Sequence, residues 1–226
     1  RNFFWDGLFS SAAAATFDPE LARGAIRTVF TRIHPETGFG PEHTYNYAVP
    51  TFGPLGQMQA PVATWALENY LAARPDDEAF LAEMYPTLKM VHQHWLTSAD
   101  RDGDGLMEWQ FAGQTADNSP LYDAFERNGI HGWIGPQASV HLNAFLHRDA
   151  MTLARFAERL GKSDDARWAR EEAARRQELF FKICYVPEEK RFWDYSHLMR
   201  RHIKVKTFYL FWPIWAGMDV PGDAKK

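Results

Sequence analysis

The chain has 226 residues, of which 46% are hydrophobic and 15% are aromatic, and its formal net charge is −4. A sequence this apolar is not typical of a disordered protein and is long enough to bury a core. Basic and acidic residues are interspersed and leave no basic stripe. This distribution argues against nucleic acid and anionic membranes as partners.

The single cysteine, Cys184, lies in the apolar segment LFFKICYV, and we expect it to be buried and inert. No apolar run approaches the ~20 residues that cross a bilayer, and the N-terminus lacks a charged-then-apolar leader. We therefore expect a soluble protein, with the cytoplasm as the default compartment. Because the chain begins with Arg1 rather than Met, we expect both of its ends to be cut from a longer protein.

Capping signals and apolar periodicity predict helices along most of the chain. Asp18 followed by Pro19 is a start signal, Gly161 is a typical end signal, and Pro86 is expected to break or kink a helix. The predicted helices are Pro19 to about His34, Pro61 to about Ala73, one from a cap at Asp76 or Asp77 to Pro86, Pro86 to about Thr97, Asn143 to Leu160, one from a cap at Ser163 or Asp164 to about Ile183, and Lys206 to Gly217. The segment VPEEKRFWDYS is predicted to form a turn beside a short extended piece.

Two connections, 38–51 and 100–139, are longer than ordinary loops, and long ordered loops are usually functional. The segment 100–123, DRDGDGLMEWQFAGQTADNSPLYD, combines carboxylates, amides and aromatic rings, as a loop-borne carbohydrate site does. At its centre lies Asp117-Asn118-Ser119-Pro120. These four residues also make a good turn, because Asx and hydroxyl side chains bond nearby N–H groups and Pro fixes φ. The residue chemistry alone leaves both interpretations open.

Five segments of the chain resemble, in the same order, those of glycoside hydrolase family 63 and its relatives. They are Arg1–Phe9 (RNFFWDGLF), Gln57–Pro61 (QMQAP), Asp117–Pro120 (DNSP), Val140–Asp149 (VHLNAFLHRD) and Phe208–Met218 (FYLFWPIWAGM). The resemblance implies an all-α fold, an (α/α)6 toroid of twelve helices. Because only about seven helices are predicted here, we expect one toroid domain over 1–226 that is incomplete.

The family resemblance also implies an activity: an inverting, exo-acting glycoside hydrolase that cleaves an α-linked glucoside or mannoside. In such enzymes one carboxylic acid protonates the departing oxygen while a second carboxylate activates a water on the opposite face. The resemblance assigns the acid to Asp117, and apolar walls from Trp109 and Tyr122 would raise its pKa. No segment matches the base; the in-chain substitutes are Asp6, Glu108, Asp123 and Asp194.

Further residues are candidates for sugar binding. By resemblance, Trp5 and Asp6 contact the sugar nearest the cleaved bond, and Gln59 binds its hydroxyls. For Gln59 a helix N-terminal cap is the alternative. The full set of predicted substrate-binding residues is Trp5, Asp6, Tyr45, Gln59, Trp109 and Tyr122. A non-catalytic carbohydrate-binding toroid module without the base is the rival function for the whole chain.

The run Asp100-x-Asp102-x-Asp104-Gly105 matches the first half of an EF-hand calcium loop. Position twelve is Phe111 instead of the bidentate Glu, although Glu108 at position nine could donate an oxygen. A polar turn held by Asx hydrogen bonds is the preferred interpretation, and a structural calcium completed by a distant carboxylate, as in some family members, is the alternative. Apart from this calcium we expect no cofactor, because the chain has no HExxH, zinc-cysteine, GxSxG or phosphate-binding glycine motif.

Overall fold

The structure is a computed structural model that describes residues 2–41, 43–44, 58–109, 120–121 and 137–222. The chain divides into two compact units, Arg1–His94 with Asp149–Arg170 and Trp95–Arg148 with Glu171–Lys226. The single toroid domain over 1–226 stays a prediction.

Helices account for most of the described residues. They are α1 (Phe4–Ala14), α2 (Pro19–Phe30), α3 (Ala63–Ala73), α4 (Glu78–Ser98), α5 (Val140–Arg159), α6 (Ser163–Cys184) and α7 (Trp212–Trp215), with a 3-10 turn at Phe208–Phe211. The strands are short: β1 (Asn2–Phe3), β2 (His43–Thr44), β3 (Gln137–Ala138), β4 (Tyr185–Val186), β5 (Arg191–Phe192), β6 (Asp194–Ser196) and β7 (Arg201–Ile203). None of the helices in the described part of the chain is both long and apolar enough to cross a membrane.

The first unit is built on helices that bury one stripe each. In α2 the side chain of Asp18 accepts the backbone N–H of Leu21 and Pro19 occupies the first turn, as the sequence predicts. Its buried residues follow the helical period at Ala22, Ile26 and Val29. The helix ends at Phe30, four residues before the predicted end. Helix α1, by contrast, has no side-chain cap from its own N-cap residue and was not among the predicted helices.

Of the break or kink predicted at Pro86, the break into two helices is wrong, because α4 runs without interruption from Glu78 to Ser98, and the kink stays a prediction. Proline removes one backbone hydrogen bond from a helix, so other contacts must hold the two sides together. Tyr85 and Lys89, on either side of Pro86, both bind the carboxylate of Asp165, at 3.0 and 2.7 Å. This shared partner in α6 fixes the turn that contains the proline.

The junction of α5 and α6 lies where the sequence predicts it, at Gly161. Gly161 has φ +69°, its N–H donates to Glu158 O, and the N–H of Lys162 donates to Ala157 O at 2.8 Å. This is the left-handed helix end that glycine favours. At its other end α5 begins at Val140, three residues before the predicted start. There the Asp194 carboxylate of β6 accepts the Val140 N–H at 2.6 Å, so a residue 54 positions away caps the helix.

The second unit contains small antiparallel sheets beside helices. β4 pairs with β5, and β3, β6 and β7 form a three-stranded sheet. Cys184 is fully buried in the apolar core with Phe180 and Phe192, which confirms its predicted burial, and burial raises the pKa of its thiol. The helix predicted over Lys206–Gly217 is shorter: it consists of the 3-10 turn and α7.

Candidate functional site

The first candidate group lies where α1 begins. Asp6 is exposed, whereas Trp5 is half-buried and its ring lies 5.7 Å from that of Phe9 between centroids. Gln59 is buried, and its Oε1 accepts the backbone N–H of Trp5 at 2.9 Å. Since the first N–H groups of a helix have no intrahelical partner, this bond replaces the cap that α1 lacks. Gln59 thus caps α1, not the helix that follows it in sequence, and it positions the Trp5–Asp6 pair.

The second candidate group is the acidic loop 100–109. Asp100 accepts the N–H groups of Gly103 and Gly105 through its two oxygens, at 2.8 and 3.1 Å. Both glycines have positive φ, +79° and +91°, which other residues rarely adopt. The Asx hydrogen bonds predicted for this loop are therefore present, and they use both oxygens of Asp100.

Four side chains of this second unit converge beside the loop. Asp102, Asp104, Glu108 and His197 each place one ligand atom within 4.8 Å of the others, and we call them the loop cluster. His197 Nδ1 lies 2.7 Å from Asp102 Oδ2, and its Nε2 lies 3.0 Å from Asp104 Oδ2. Three of these four residues belong to the predicted metal set; Asp100 lies outside the cluster, and His197 takes a place in it.

Glu108 is the buried member of the loop cluster. It is one of the predicted substitute bases, but its side chain is fully buried and Oε2 accepts the backbone N–H of Arg101 at 2.8 Å. Burial, reinforced by the negative charges of the neighbouring aspartates and opposed by this hydrogen bond, raises the pKa of Glu108 to about 8. Such an environment favours either a protonated carboxyl or a bound cation.

Trp109 lies in a buried aromatic group at the end of the loop. Its Nε1–H donates to His141 Nε2 at 2.9 Å, so the ring proton of His141 sits on Nδ1, 2.8 Å from Ser139 Oγ. Tyr209 stacks on the His141 ring with 4.4 Å between centroids. Burial lowers the pKa of His141 to about 3, so this imidazole is neutral near pH 7. Trp109 is only 1% exposed, and its predicted contact with sugar stays a prediction.

Asp194, another substitute base, has a structural position. Burial raises the pKa of this carboxyl to about 6, against the hydrogen bond that it accepts from the Val140 N–H. A carboxylate that caps α5 in the core is not available to activate water. Asp117, Asp123, Tyr45 and Tyr122 lie outside the described residues, so their predicted roles stay predictions.

Sequence reasoning missed His197 and gave Asn143 no role. His197 is 93 residues from Asp104, and no spacing rule connects it with the loop. Asn143 lies in the segment VHLNAFLHRD, where an amide among apolar residues at the start of a predicted helix was a usable signal. Its side chain binds the backbone of Met107 through both its oxygen and its nitrogen, at 3.0 Å each.

The helical architecture belongs to a class of known folds. A crystal structure of an uncharacterized conserved protein from Thermus thermophilus superposes with a TM-score of 0.81 at 20% identity, covering 99% of this chain and 66% of that chain. A GH63 mannosylglycerate hydrolase from the same organism, in complex with glucose, gives 0.80 at 20% identity, covering 99% of this chain and 67% of that one. Neutral trehalase from Saccharomyces cerevisiae gives 0.70 at 15% identity, with 99% and 51% coverage. The predicted all-α fold of the (α/α)6 toroid class is confirmed.

The family follows from a separate match. The model of the mannosylglycerate hydrolase MGH1-like glycoside hydrolase domain matches residues 2–226. The chain belongs to this family, and the resemblance to glycoside hydrolase family 63 drawn from its sequence is confirmed. The chain spans 66% of the length of the first of these solved structures.

Proposed function

We propose that the protein carrying this chain is an inverting exo-glycoside hydrolase that cleaves an α-linked glucoside or mannoside, with Asp117 as the general acid. The observation that carries the proposal is the match of a glycoside hydrolase domain model to residues 2–226. A mannosylglycerate hydrolase with the same fold makes mannosylglycerate the first substrate to try.

The start of α1 supports a sugar site. Carbohydrate sites combine an aromatic face for the apolar side of a pyranose with carboxylates or amides for its hydroxyls. Trp5 is partly accessible and backed by Phe9, whose ring in turn lies 5.4 Å from that of Trp65. Asp6 is exposed beside it, and the hydrogen bond from Trp5 N–H to Gln59 fixes the backbone of the pair. In this proposal Trp5 stacks on the sugar and Asp6 accepts its hydroxyl protons.

The described carboxylates narrow the choice of the general base. Glu108 and Asp194 are buried and accept backbone N–H groups, of Arg101 and Val140 respectively. An inverting base lies about 6.5–9.5 Å from the acid and activates a water that fits between them, which requires access to solvent. Neither residue meets this requirement, so we propose neither as the base.

The test is hydrolysis of a panel of α-glucosides and α-mannosides, including mannosylglycerate, by the full-length protein. One substrate is expected to turn over, its first product having the inverted anomeric configuration by NMR. Asp117→Asn should lower kcat by about 10²–10⁴-fold, the usual contribution of a general acid. Asp76→Asn, the same change at an exposed aspartate outside the candidate sites, is the matched control and should retain activity.

Two results would contradict the proposal. Undiminished turnover by Asp117→Asn would remove Asp117 as the acid. Binding of a sugar without turnover by the wild-type protein would favour the non-catalytic carbohydrate-binding module instead.

A further inference from the structure

The three carboxylates of the loop cluster divide their oxygens between two tasks. Oδ1 of Asp102 accepts the N–H of Asp104 at 3.2 Å, and Oδ1 of Asp104 accepts the N–H of Leu106 at 2.7 Å. Glu108 also uses one oxygen in this way, because its Oε2 accepts the N–H of Arg101. One oxygen of each residue thus holds the loop backbone. The second oxygens of Asp102 and Asp104, Oδ2 in each, lie 2.7 and 3.0 Å from the two nitrogens of His197.

Glu108 gives independent evidence for that ligand. Its side chain is 0% exposed, and its Oε1 has no hydrogen-bond partner among the residues that the structure describes. Buried polar groups are nearly always hydrogen-bonded, and an unsatisfied buried carboxylate oxygen is costly. A carboxylate oxygen of Glu108 lies within 4.8 Å of the ligand atoms of Asp102, Asp104 and His197. A bound cation would give Oε1 a partner and would offset the negative charges of Asp102, Asp104 and an ionised Glu108.

The kinds of ligand atom indicate the class of cation. Calcium takes six to eight oxygen ligands, whereas imidazole nitrogen suits first-row transition metals such as zinc and iron. Both nitrogens of His197 lie close to cluster carboxylates, at 2.7 and 3.0 Å. A set of three carboxylates and one imidazole therefore fits a transition-metal ion better than it fits calcium.

We propose that the loop cluster binds a divalent first-row transition-metal ion, with His197 as its nitrogen ligand, in place of the calcium that the acidic loop alone suggests. His197 lies between β6 and β7, so the ion ties the loop 100–109 to that hairpin within the second unit. The role is structural, and it does not depend on the proposed hydrolysis.

The rival explanation requires no metal. A protonated His197 could pair with Asp102 and Asp104 directly, because the two distances also fit ion pairs. Within the described part of the chain this arrangement leaves Oε1 of Glu108 without a partner, which is why we favour the metal. The two explanations differ in what happens when ions are added to protein that has been stripped with a chelator.

The experiment uses electron paramagnetic resonance of Mn²⁺ added to the chelator-stripped full-length protein. Binding is expected to remove the six-line signal of free Mn²⁺ at about one ion per chain. Electron spin-echo modulation from ¹⁴N should then show a coordinated imidazole. Zn²⁺ is expected to displace Mn²⁺, since it stands higher in the usual order of affinity, and Ca²⁺ should require at least ~10-fold higher concentration.

Two substitutions on the same hairpin provide the matched comparison. His197→Gln should remove the ¹⁴N modulation and weaken Mn²⁺ binding by ~10-fold or more. His202→Gln should change neither, because His202 binds the carbonyl of Ile183 outside the cluster. If His197→Gln fails to fold, the ¹⁴N signal of the wild-type protein decides alone. Absence of Mn²⁺ binding would overturn the proposal in favour of the ion pair; Mn²⁺ binding without ¹⁴N modulation, or tighter binding of Ca²⁺, would overturn it in favour of an oxygen-ligated calcium site.

Discussion

Two polar networks hold the loop 100–109, and they differ in how completely their hydrogen-bonding groups are used. The amide of Asn143 uses every donor and acceptor: its oxygen accepts from Met107 N–H and Arg176 Nη1, and its nitrogen donates to Met107 O and Ser139 O. The loop cluster, by contrast, leaves Oε1 of buried Glu108 without a partner in residues 2–41, 43–44, 58–109, 120–121 and 137–222. A network in which every hydrogen-bonding group has a partner, a saturated network, needs only a structural role. A buried network with an unpaired group, an unsaturated network, indicates a ligand.

Removing the saturated network should have the largest effect on stability. Asn143→Ala leaves the buried N–H and C=O groups of Met107 unpaired and is expected to lower the free energy of unfolding by about 2–4 kcal/mol. Chemical denaturation of the full-length protein measures this loss. Asn69→Ala is the matched control: it deletes one local bond to Trp65 O and should cost less than about 1 kcal/mol. Equal losses in the two variants would contradict the special role of Asn143.

A buried histidine beside the loop should produce a pH effect of intermediate size. The folded pKa of His141 is lowered to about 3, so between pH 3 and about 6.5 the unfolded state binds more protons than the folded state. The contribution of His141 to stability should therefore fall as the pH is lowered through this range, by a few kcal/mol in all. Glu108 and Asp194, whose pKa values are raised, contribute with the opposite sign. The difference in stability between the wild-type protein and His141→Gln, measured by denaturation at several pH values, should therefore shrink as the pH is lowered, whereas the difference between the wild-type protein and His202→Gln should stay constant. A difference for His141→Gln that does not change with pH would place the cause elsewhere.

The smallest effect is expected in the unsaturated network when no metal is present. Asp102 is exposed, and Asp102→Asn in the presence of a chelator should shift Tm by no more than about 2 °C. Added Mn²⁺ should raise Tm of the wild-type protein, because a ligand that binds only the folded state stabilises it by about 2.7 kcal/mol at 100 times Kd. The same addition should raise the Tm of Asp102→Asn by much less. Equal gains in both proteins would exclude Asp102 as a ligand.

The sequence predicted helix positions well where local chemistry decides them. Asp18 with Pro19 determined one helix start, and Gly161 determined the end of α5, because capping depends on the backbone within a few residues. The sequence did not predict that one helix continues through Pro86, where the distant carboxylate of Asp165 binds residues on both sides of the proline. It missed α1 for the same kind of reason, since the partner of the Trp5 N–H is Gln59, 54 residues away.

The candidate sites divide in the same way. The order of five short segments was enough to indicate the family, and the acidic spacing of residues 100–108 was enough to indicate a turn with cation-binding potential. Only the tertiary structure showed that Asp100 uses both oxygens on backbone N–H groups and that His197 joins the loop cluster. It also showed that Glu108 and Asp194 are buried. Helix caps and turns depend on residues that are neighbours in the sequence, so the sequence alone determined them. Burial and the set of ligands at a site depend on contacts between residues that lie far apart in the chain.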